Sequence, residues 1–207
     1  MSRVLVLHAH PNPTRSRVNV PMLGVARGVE GVTAVDLYAD YPRQDIDVGA
    51  EQKRLLEHDA LVFQFPFHWY STPPILKLWM DRVLEFGFAY GKGGDRLAGK
   101  PFLVATTAGG ASEAYALAGL NRFPIRTLLS PLEQTAHLCG MRYLAPFVLF
   151  ASVRAADREP AETHRTRYRE LLEALVGERL DLEAATDREL LLQEALPIRP
   201  ADTEGGA

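Results

Sequence analysis

The stretch DALVFQFPFHWYSTPPILKLWMDRVLEF, residues 59–86, joins an apolar strand to an amphipathic helix through a loop rich in aromatic rings. Its apolar run up to Phe65 is typical of a strand buried on both faces of a parallel sheet. After Pro74 the side chains of Trp79 and Val83 fall on one helical face, which predicts a helix with Trp79 in the core. A buried strand followed by such a helix is half of a βαβ unit.

The same alternation of apolar strand and helix runs through the chain to about residue 176. Further strand-like runs are VLVLH (Val4–His8), VTAVDL (32–37), PFLVATT (Pro101–Thr107) and a run near 147–152. Helical patterns end near residue 28 and cover about 50–57, 74–86, 125–138 and 157–176. Such alternation predicts an α/β fold with a doubly wound, flavodoxin-like parallel sheet of five strands in the order 2-1-3-4-5. We expect residues 1–176 to form this domain and residues 177–207 to form an extension outside it, partly helical and then disordered.

Composition narrows the possible partners and locations of the chain. Its 207 residues are 47% apolar and 24% charged, with a net charge of -3. The sequence lacks the basic stripe that is typical of nucleic-acid binding, so we expect no nucleic-acid partner. An apolar run long enough to cross a bilayer is absent from the sequence, and we expect a cytoplasmic protein, with a peripheral position at the inner face of the membrane as the alternative. The single cysteine, Cys139, is flanked by Leu138 and Gly140 and is assigned no chemistry.

Ligands of such sheets bind beyond the carboxyl ends of the strands, where strand order reverses. This rule selects three loops, residues 9–19, 66–73 and 107–122.

The first of these loops is a candidate anion site. It lacks both the GxGxxG and the GxxxxGK[ST] pattern, but Ser16, Arg17 and Asn19 add donors to the free N–H groups of a helix start. The alternative is that Ser16 only caps the helix. Pro21 favours a helix that begins nearer Asn19. His8 and His10 lack a third ligand of suitable type, so we predict no metal site; His8 is expected in the core and His10 near a ligand.

The other two loops suggest a flat ligand. Phe67, His68, Trp69 and Tyr70 follow a strand and precede two prolines, so they could line a surface for an aromatic ring, or else form a small core or a dimer contact. Gly109 and Gly110 in the third loop let the backbone approach a ligand closely, unless they only make a turn.

Taken together, FPFHWYSTPPILKLWMDRVLEFGFAYG and the first loop AHPNPTRSRVN resemble segments of the NAD(P)H:quinone oxidoreductase family of flavodoxin-like flavoproteins. Within that family the resemblance is greatest to the ancillary oxidoreductase subunits of Kef-type, glutathione-regulated potassium efflux systems. It covers about residues 3–176. It implies FMN as cofactor, with FAD as an alternative, NAD(P)H as co-substrate and a quinone as acceptor in a two-electron ping-pong reaction.

The resemblance also implies roles for individual positions. The phosphate and ribityl chain of the flavin would be held by His10, Ser16, Arg17, Val18 and Asn19. The isoalloxazine ring would lie against Phe67, His68, Trp69 and Tyr70, and against the turn of Thr107, Ala108, Gly109 and Gly110.

Proton supply is less defined by the resemblance. Tyr115 matches a tyrosine that stabilises charge in some family members, but the histidine that accompanies it there is Asn121 in this chain. Tyr115 and His68 are therefore the candidate catalytic residues, and water is the alternative. The family further implies a homodimer, with the loop 87–100 near the interface, and a regulatory role on a potassium efflux transporter is the alternative function.

Overall fold

The computed structural model of the protein describes residues 1–156, 158–192 and 194–200. Its sheet is parallel in every strand pair, with the order β2-β1-β3-β4-β5, and β6 also pairs with β4. The strands are β1 (Val4–His8), β2 (Val32–Asp36), β3 (Ala60–Pro66), β4 (Pro101–Thr107), β5 (Arg142–Tyr143) and β6 (Phe147–Leu149). The predicted doubly wound fold and its strand order are confirmed.

The fifth position of the sheet differs from the prediction because it is divided. One continuous strand was expected near 147–152, but β5 and β6 pair with opposite ends of β4 and are separated by residues 144–146. Pro146 has no N–H group to donate to a ladder. The N–H group of Ala145 turns away from β4 and donates to the carbonyl of Ala185 at 2.8 Å. The interruption thus has both a local and a long-range cause.

The helices lie on both faces of the sheet. They are α1 (Asn19–Arg27), α2 (Leu37–Asp40), α3 (Val48–Glu57), α4 (Pro74–Val83), α5 (Ile125–Leu128), α6 (Ser130–Leu138), α7 (Ser152–Ala155), α8 (Glu159–Val176) and α9 (Leu182–Asp187). Helix α1 begins at Asn19 with Pro21 in its first turn, as predicted. The single helix expected at 125–138 is two helices, with Pro131 at the start of the second, where a missing N–H group costs least.

Alternate side chains of the central strands fill two cores. Val4 and Val6 of β1 face α1 and α8, whereas Leu5 and Leu7 face the core that contains Trp79 of α4. Trp79 is fully buried, as predicted. The two cores hold β1, β3 and β4 side by side, so that their carboxyl ends lie in one row. The candidate site lies at this row of carboxyl ends.

A buried carboxylate joins three helical segments behind this row. Glu51 of α3 is fully buried and accepts hydrogen bonds from the hydroxyl of Tyr41 at 2.6 Å and from Nε1 of Trp79 at 2.8 Å. Arg54 donates to the same carboxylate at 2.5 Å. A buried charge needs such partners, because an isolated one would be strongly destabilising.

The segment after α8 packs on the domain instead of lying outside it. Leu180, Ala185, Leu191 and Leu196 are buried in the core that α1 and α8 share. Leu191 donates its N–H group to the carbonyl of Pro146 at 3.1 Å, so the segment covers the divided fifth position of the sheet. The expectation of an extension separate from the domain is wrong for residues 180–192 and 194–196, because clustered leucines supply an apolar face that the sheet edge can bury.

Disorder was predicted from Pro197 onward, but Arg199 donates its N–H group to the carbonyl of Arg179 at 2.8 Å, and Ile198 pairs with Leu180. The rest of that prediction, residues 201–207, lies outside the described residues.

Within the described ranges, every helix is too short or too polar to cross a membrane.

Candidate active site

A cleft of about 700 Å³ opens beyond the carboxyl ends of β1, β3 and β4, and a smaller hollow of about 310 Å³ adjoins it. Phe67, Trp69 and Gly109 line both, so the two form one continuous groove. We call its two halves the basic end and the aromatic end. The basic end is lined by His10, Asn12, Arg15, Ser16, Arg17, Val18, Asn19, His68, Thr107, Ser152, Val153 and Ala156, and the aromatic end by Tyr70, Gly110, Ala114, Tyr115, Leu120 and Asn121.

The start of α1 gives the basic end its donors. Ser16 accepts a hydrogen bond from the N–H group of Val20 at 3.0 Å, but the N-cap position of α1 is held by Val18, which makes no side-chain cap bond. The N–H groups of Val18 and Asn19 have no backbone or side-chain acceptor within the described part of the chain. Two free N–H groups at the positive end of a nine-residue helix favour an anion there.

Asn19 connects this helix start with the third loop. Its side-chain amide donates to the hydroxyl of Thr107 at 2.8 Å, and its backbone carbonyl accepts from the side chain of Gln64 at 2.7 Å. Its Oδ1 atom is buried and lacks a partner among the residues described. A buried acceptor that lines a cleft and has no partner indicates a ligand group or a water molecule at that point.

Three imidazoles lie in a row that leads from the buried His8 to His10 and His68 in the basic end. The rings of His8 and His10 are nearly parallel with centroids 6.4 Å apart, and His68 meets His10 edge-on at 6.2 Å. Burial, followed by the charge of His10, lowers the pKa of His8 to about 3. Burial and the neighbouring His68 also lower the pKa of His10. His8 is thus a neutral core residue, as predicted, and His10 lies in the groove.

Buried neutral histidines predict that the protein is sensitive to acid. Burial also lowers the pKa of His164, which stacks on Phe147 in the core, to about 3. Between pH 6.5 and 3 the unfolded chain binds protons at His8 and His164 that the folded chain does not. The free energy of unfolding should therefore fall as pH falls below 6.5, by about 2 kcal/mol for each histidine at pH 5. Urea unfolding at a series of pH values measures this.

The control for this prediction compares two substitutions. His164→Leu should flatten the loss of stability between pH 6.5 and 5, whereas His137→Gln at an exposed position should leave it unchanged. An unaltered slope in His164→Leu would contradict the assignment.

The loop after β3 holds its rings in a strained backbone. Trp69 and Tyr70 have φ angles of 49° and 61°, which non-glycine residues rarely adopt, and the side chain of Trp69 is 92% exposed. Phe67 donates its N–H group to Thr107, and His68 donates to Pro66. The N–H groups of Trp69 and Tyr70 make no hydrogen bond to any described residue, so they are available to a ligand at the groove.

The third loop approaches the groove with its backbone. Ala108 donates to the carbonyl of Leu149, and Gly110 accepts from the N–H group of Ala151 at 2.7 Å, so the turn is anchored to the loop after β6. A side chain at Gly109 would meet nothing within 4 Å, which leaves room above the turn for a ligand. The predicted close approach of Gly109 and Gly110 to the site is consistent with this geometry.

Tyr115, Asn121 and Tyr70 meet at the aromatic end. The hydroxyl of Tyr70 donates to Oδ1 of Asn121 at 3.0 Å. Burial and then Tyr70 raise the pKa of Tyr115, and the Asn121 amide, which faces the same hydroxyl, partly offsets this rise. Tyr115 therefore keeps its proton at neutral pH and can donate a hydrogen bond.

The structure brings the predicted binding residues into one groove, except Ala108, which is fully buried in the core, and it separates the two candidate catalytic residues. His68 lies at the basic end beside His10, whereas Tyr115 lies at the aromatic end. Sequence reasoning did not assign a role to Asn12, Arg15, Ser152, Val153 or Ala156, which also line the groove. The rule on carboxyl ends of strands would have selected 152–156 if it had been applied to the fifth strand position as well.

Comparison with known proteins is consistent with this arrangement. A family profile described as flavodoxin-like fold matches residues 2–172. The chain is 44% identical over 161 residues to the uncharacterized NAD(P)H oxidoreductase YdeQ of Bacillus subtilis, covering 78% of this chain and 82% of the relative. It is 42% identical over 169 residues to the ancillary protein KefF of the glutathione-regulated potassium-efflux system of Klebsiella pneumoniae, covering 82% and 94%.

Two solved structures are similar over most of their length. One is general stress protein 14 of Treponema denticola in complex with FMN, with 37% identity, a TM-score of 0.79, and coverage of 84% of this chain and 99% of that one. The other is an NADPH-quinone reductase of P. pentosaceus, with 26% identity, a TM-score of 0.72, and coverage of 82% and 97%.

Proposed function

Because the chain belongs to the family with the flavodoxin-like fold, we propose that it is an FMN-dependent NAD(P)H:quinone oxidoreductase. The relatives named as NAD(P)H oxidoreductase and as NADPH-quinone reductase support the activity. One observation carries the proposal: a single groove joins a helix start with free N–H groups to a strained aromatic loop and a glycine turn. We further propose that residues 1–176 hold the cofactor and that the protein works in the cytoplasm.

The residues of the groove fit FMN. The phosphate would bind at the N–H groups of Val18 and Asn19, with Ser16 and Arg17 at its side and His10 next to it. The unpartnered Oδ1 of Asn19 suits a ribityl hydroxyl, because it is a buried acceptor without a donor in the described chain.

The flavin ring would be bordered at the other end of the groove by backbone and aromatic groups. Phe67, His68, Trp69 and Tyr70 would form one wall, and Thr107, Ala108, Gly109 and Gly110 the opposite turn. The open space above Gly109 supports this arrangement.

Bound FMN would act as the two-electron carrier between NAD(P)H, which gives a hydride, and a quinone, which accepts it. The protein residues would bind, orient and protonate. Tyr115, whose raised pKa keeps its hydroxyl protonated, would donate a hydrogen bond to the acceptor oxygen, and Asn121 would hold that hydroxyl in place. His68 could supply a proton only from the basic end. We propose that NAD(P)H and the quinone use this groove in turn, in a ping-pong order.

The visible absorption spectrum of the purified protein tests this proposal. We expect bound flavin, identified as FMN and not FAD by chromatography after release, which NADPH or NADH bleaches and a quinone restores. Initial rates at several quinone concentrations should give parallel double-reciprocal lines. A colourless protein that neither FMN nor FAD reconstitutes would refute the function.

Asn121→His should make turnover depend on pH. It replaces a group that does not titrate with an imidazole whose ordinary pKa is about 6.5, beside the hydroxyl of Tyr115. We expect the profile of kcat against pH to gain an inflection between about pH 6 and 7 that the wild type and Asn121→Gln lack. Identical profiles for all three proteins would show that the side chain at position 121 does not affect proton donation by Tyr115.

We also propose that two copies of the chain form a homodimer at the aromatic end. Trp69, Leu117 and Leu120 are at least 80% exposed beside the groove, and such apolar exposure is typical of an interface. The loop 87–100, which resembles the family's interface segment, is expected nearby. Sedimentation of the wild type and of Leu120→Asp measures this: the wild type should be dimeric and the variant should dissociate more readily.

A second candidate function is regulation of a potassium efflux transporter, which the identity to KefF supports. The two functions are compatible. The cytoplasmic domain of a Kef-type transporter, added to the purified full-length protein, should bind in a calorimetric titration. Absence of binding at micromolar concentrations, with the flavin reaction intact, would leave only the enzymatic function.

A further inference from the structure

A single polar side chain interrupts the apolar run of β3. Gln64 is fully buried, and its position in the strand pairs with His8 of β1. A buried polar group in a central strand is more informative than the apolar residues around it, because its burial is unfavourable unless each of its groups is hydrogen-bonded.

Both ends of the Gln64 amide are bonded. Nε2 donates to the backbone carbonyl of Asn19 at 2.7 Å and lies 3.0 Å from Nδ1 of His8. Oε1 accepts from the hydroxyl of Tyr168 in α8 at 3.1 Å. A reversed amide would place its oxygen against the carbonyl of Asn19, so only one orientation satisfies the network. His8 then accepts at Nδ1 and carries its proton on Nε2.

These bonds converge on the residue that begins α1. Asn19 is held through its carbonyl by Gln64 and through its side chain by Thr107 of β4. The two free N–H groups belong to Asn19 itself and to Val18, the residue before it. Their direction therefore depends on how Asn19 is fixed. An anion site made of backbone N–H groups has little tolerance for misalignment, because hydrogen bonds weaken steeply away from linearity.

We propose that Gln64 is a positioning residue for the phosphate of the flavin: it does not touch the cofactor, and it fixes the start of α1 so that two N–H groups point at the phosphate. The inference rests on the proposed function. The two donor bonds, to Asn19 and to His8, orient the Gln64 amide, and Tyr168 only donates to its oxygen from the opposite side. The network thus ties α8, β1 and β3 to the basic end of the groove.

The test compares two ligands that differ only in the phosphate, FMN and riboflavin, bound to the apoprotein and followed by quenching of flavin fluorescence. Gln64→Met keeps the length of the side chain and removes its hydrogen bonds. We expect the dissociation constant for FMN to rise about tenfold and that for riboflavin less than about threefold, since one hydrogen bond of typical strength corresponds to roughly that factor. Tyr168→Phe keeps both donor bonds of Gln64 and should preserve the ratio of the two constants.

Gln64→Leu covers the case in which Gln64→Met does not fold. Leucine is apolar like the residues on either side of it in β3, and it also removes the donor that Asn19 needs. The same selective loss of FMN affinity is expected.

Equal loss of both ligands, or unchanged FMN affinity, would overturn the positioning role. A wild-type protein that binds neither flavin would overturn the proposed function itself, before any variant is compared.

Discussion

Gly119→Ala is expected to lower kcat/KM by about 100-fold, the loss that a displacement of about 1 Å at a reacting group can cause. A methyl group at Gly119 would lie 2.3 Å from the carbonyl oxygen of Glu113 and 2.6 Å from that of Ala114. These are backbone atoms of the turn that precedes Tyr115, and the same Ala114 carbonyl accepts from the N–H group of Asn121. The turn must move, and Tyr115 and Asn121 must move with it.

Gly24→Ala is the matched control for this substitution. No atom lies within 4 Å of the position of its methyl group, and alanine in the interior of α1 should stabilise the helix by about 0.5–1 kcal/mol. Steady-state kinetics with NAD(P)H and a quinone, together with urea unfolding, separate loss of activity from loss of fold. Full activity in a folded Gly119→Ala protein would show that the turn does not position the catalytic hydroxyl.

Glu51→Ala is expected to lower the free energy of unfolding by about 2–5 kcal/mol, because it leaves two buried donors without an acceptor, each at a cost of about 1–3 kcal/mol, whereas the partly exposed Arg54 keeps Asp40 as a partner. The substitution leaves the guanidinium of Arg54 without the carboxylate, and it also leaves the buried Nε1 of Trp79 and the hydroxyl of Tyr41 without an acceptor. The flavin should still bind at saturating concentration, because the groove lies on other segments.

Glu57→Ala on the same helix is the comparison. Glu57 is exposed and lies 3.8 Å from Lys53, so its loss should change stability by less than about 1 kcal/mol. Urea unfolding of the two variants and the wild type measures both changes in the free energy of unfolding. Equal, small changes would mean that water replaces the lost carboxylate at Trp79.

The elements around the groove could be predicted because their signals are local. Continuous apolar runs mark β1, β3 and β4, which are buried on both faces, and their carboxyl ends define where the loops meet. Pro21 alone was enough to predict that α1 begins near Asn19, since a proline is tolerated only in the first turn.

The features that escaped prediction depend on contacts between distant segments. Gln64 looks like an exception in an apolar run until Asn19 and Tyr168 are placed beside it. The clustered leucines near Leu191 predict an apolar face, but they do not reveal that the face covers the interrupted strand at Pro146. The partners of Glu51 are likewise distributed over positions 41, 54 and 79, with no shared pattern in the sequence.

The segment that covers the fifth position of the sheet has a consequence for aggregation. Uncovered strand edges are templates on which another chain can add a strand. Among the residues that the structure describes, those that line the groove all precede residue 157, so a chain shortened at residue 176 should retain them and lose the cover over β5 and β6. Such a chain should fail first by concentration-dependent self-association, while the molecules that remain monomeric still bind flavin.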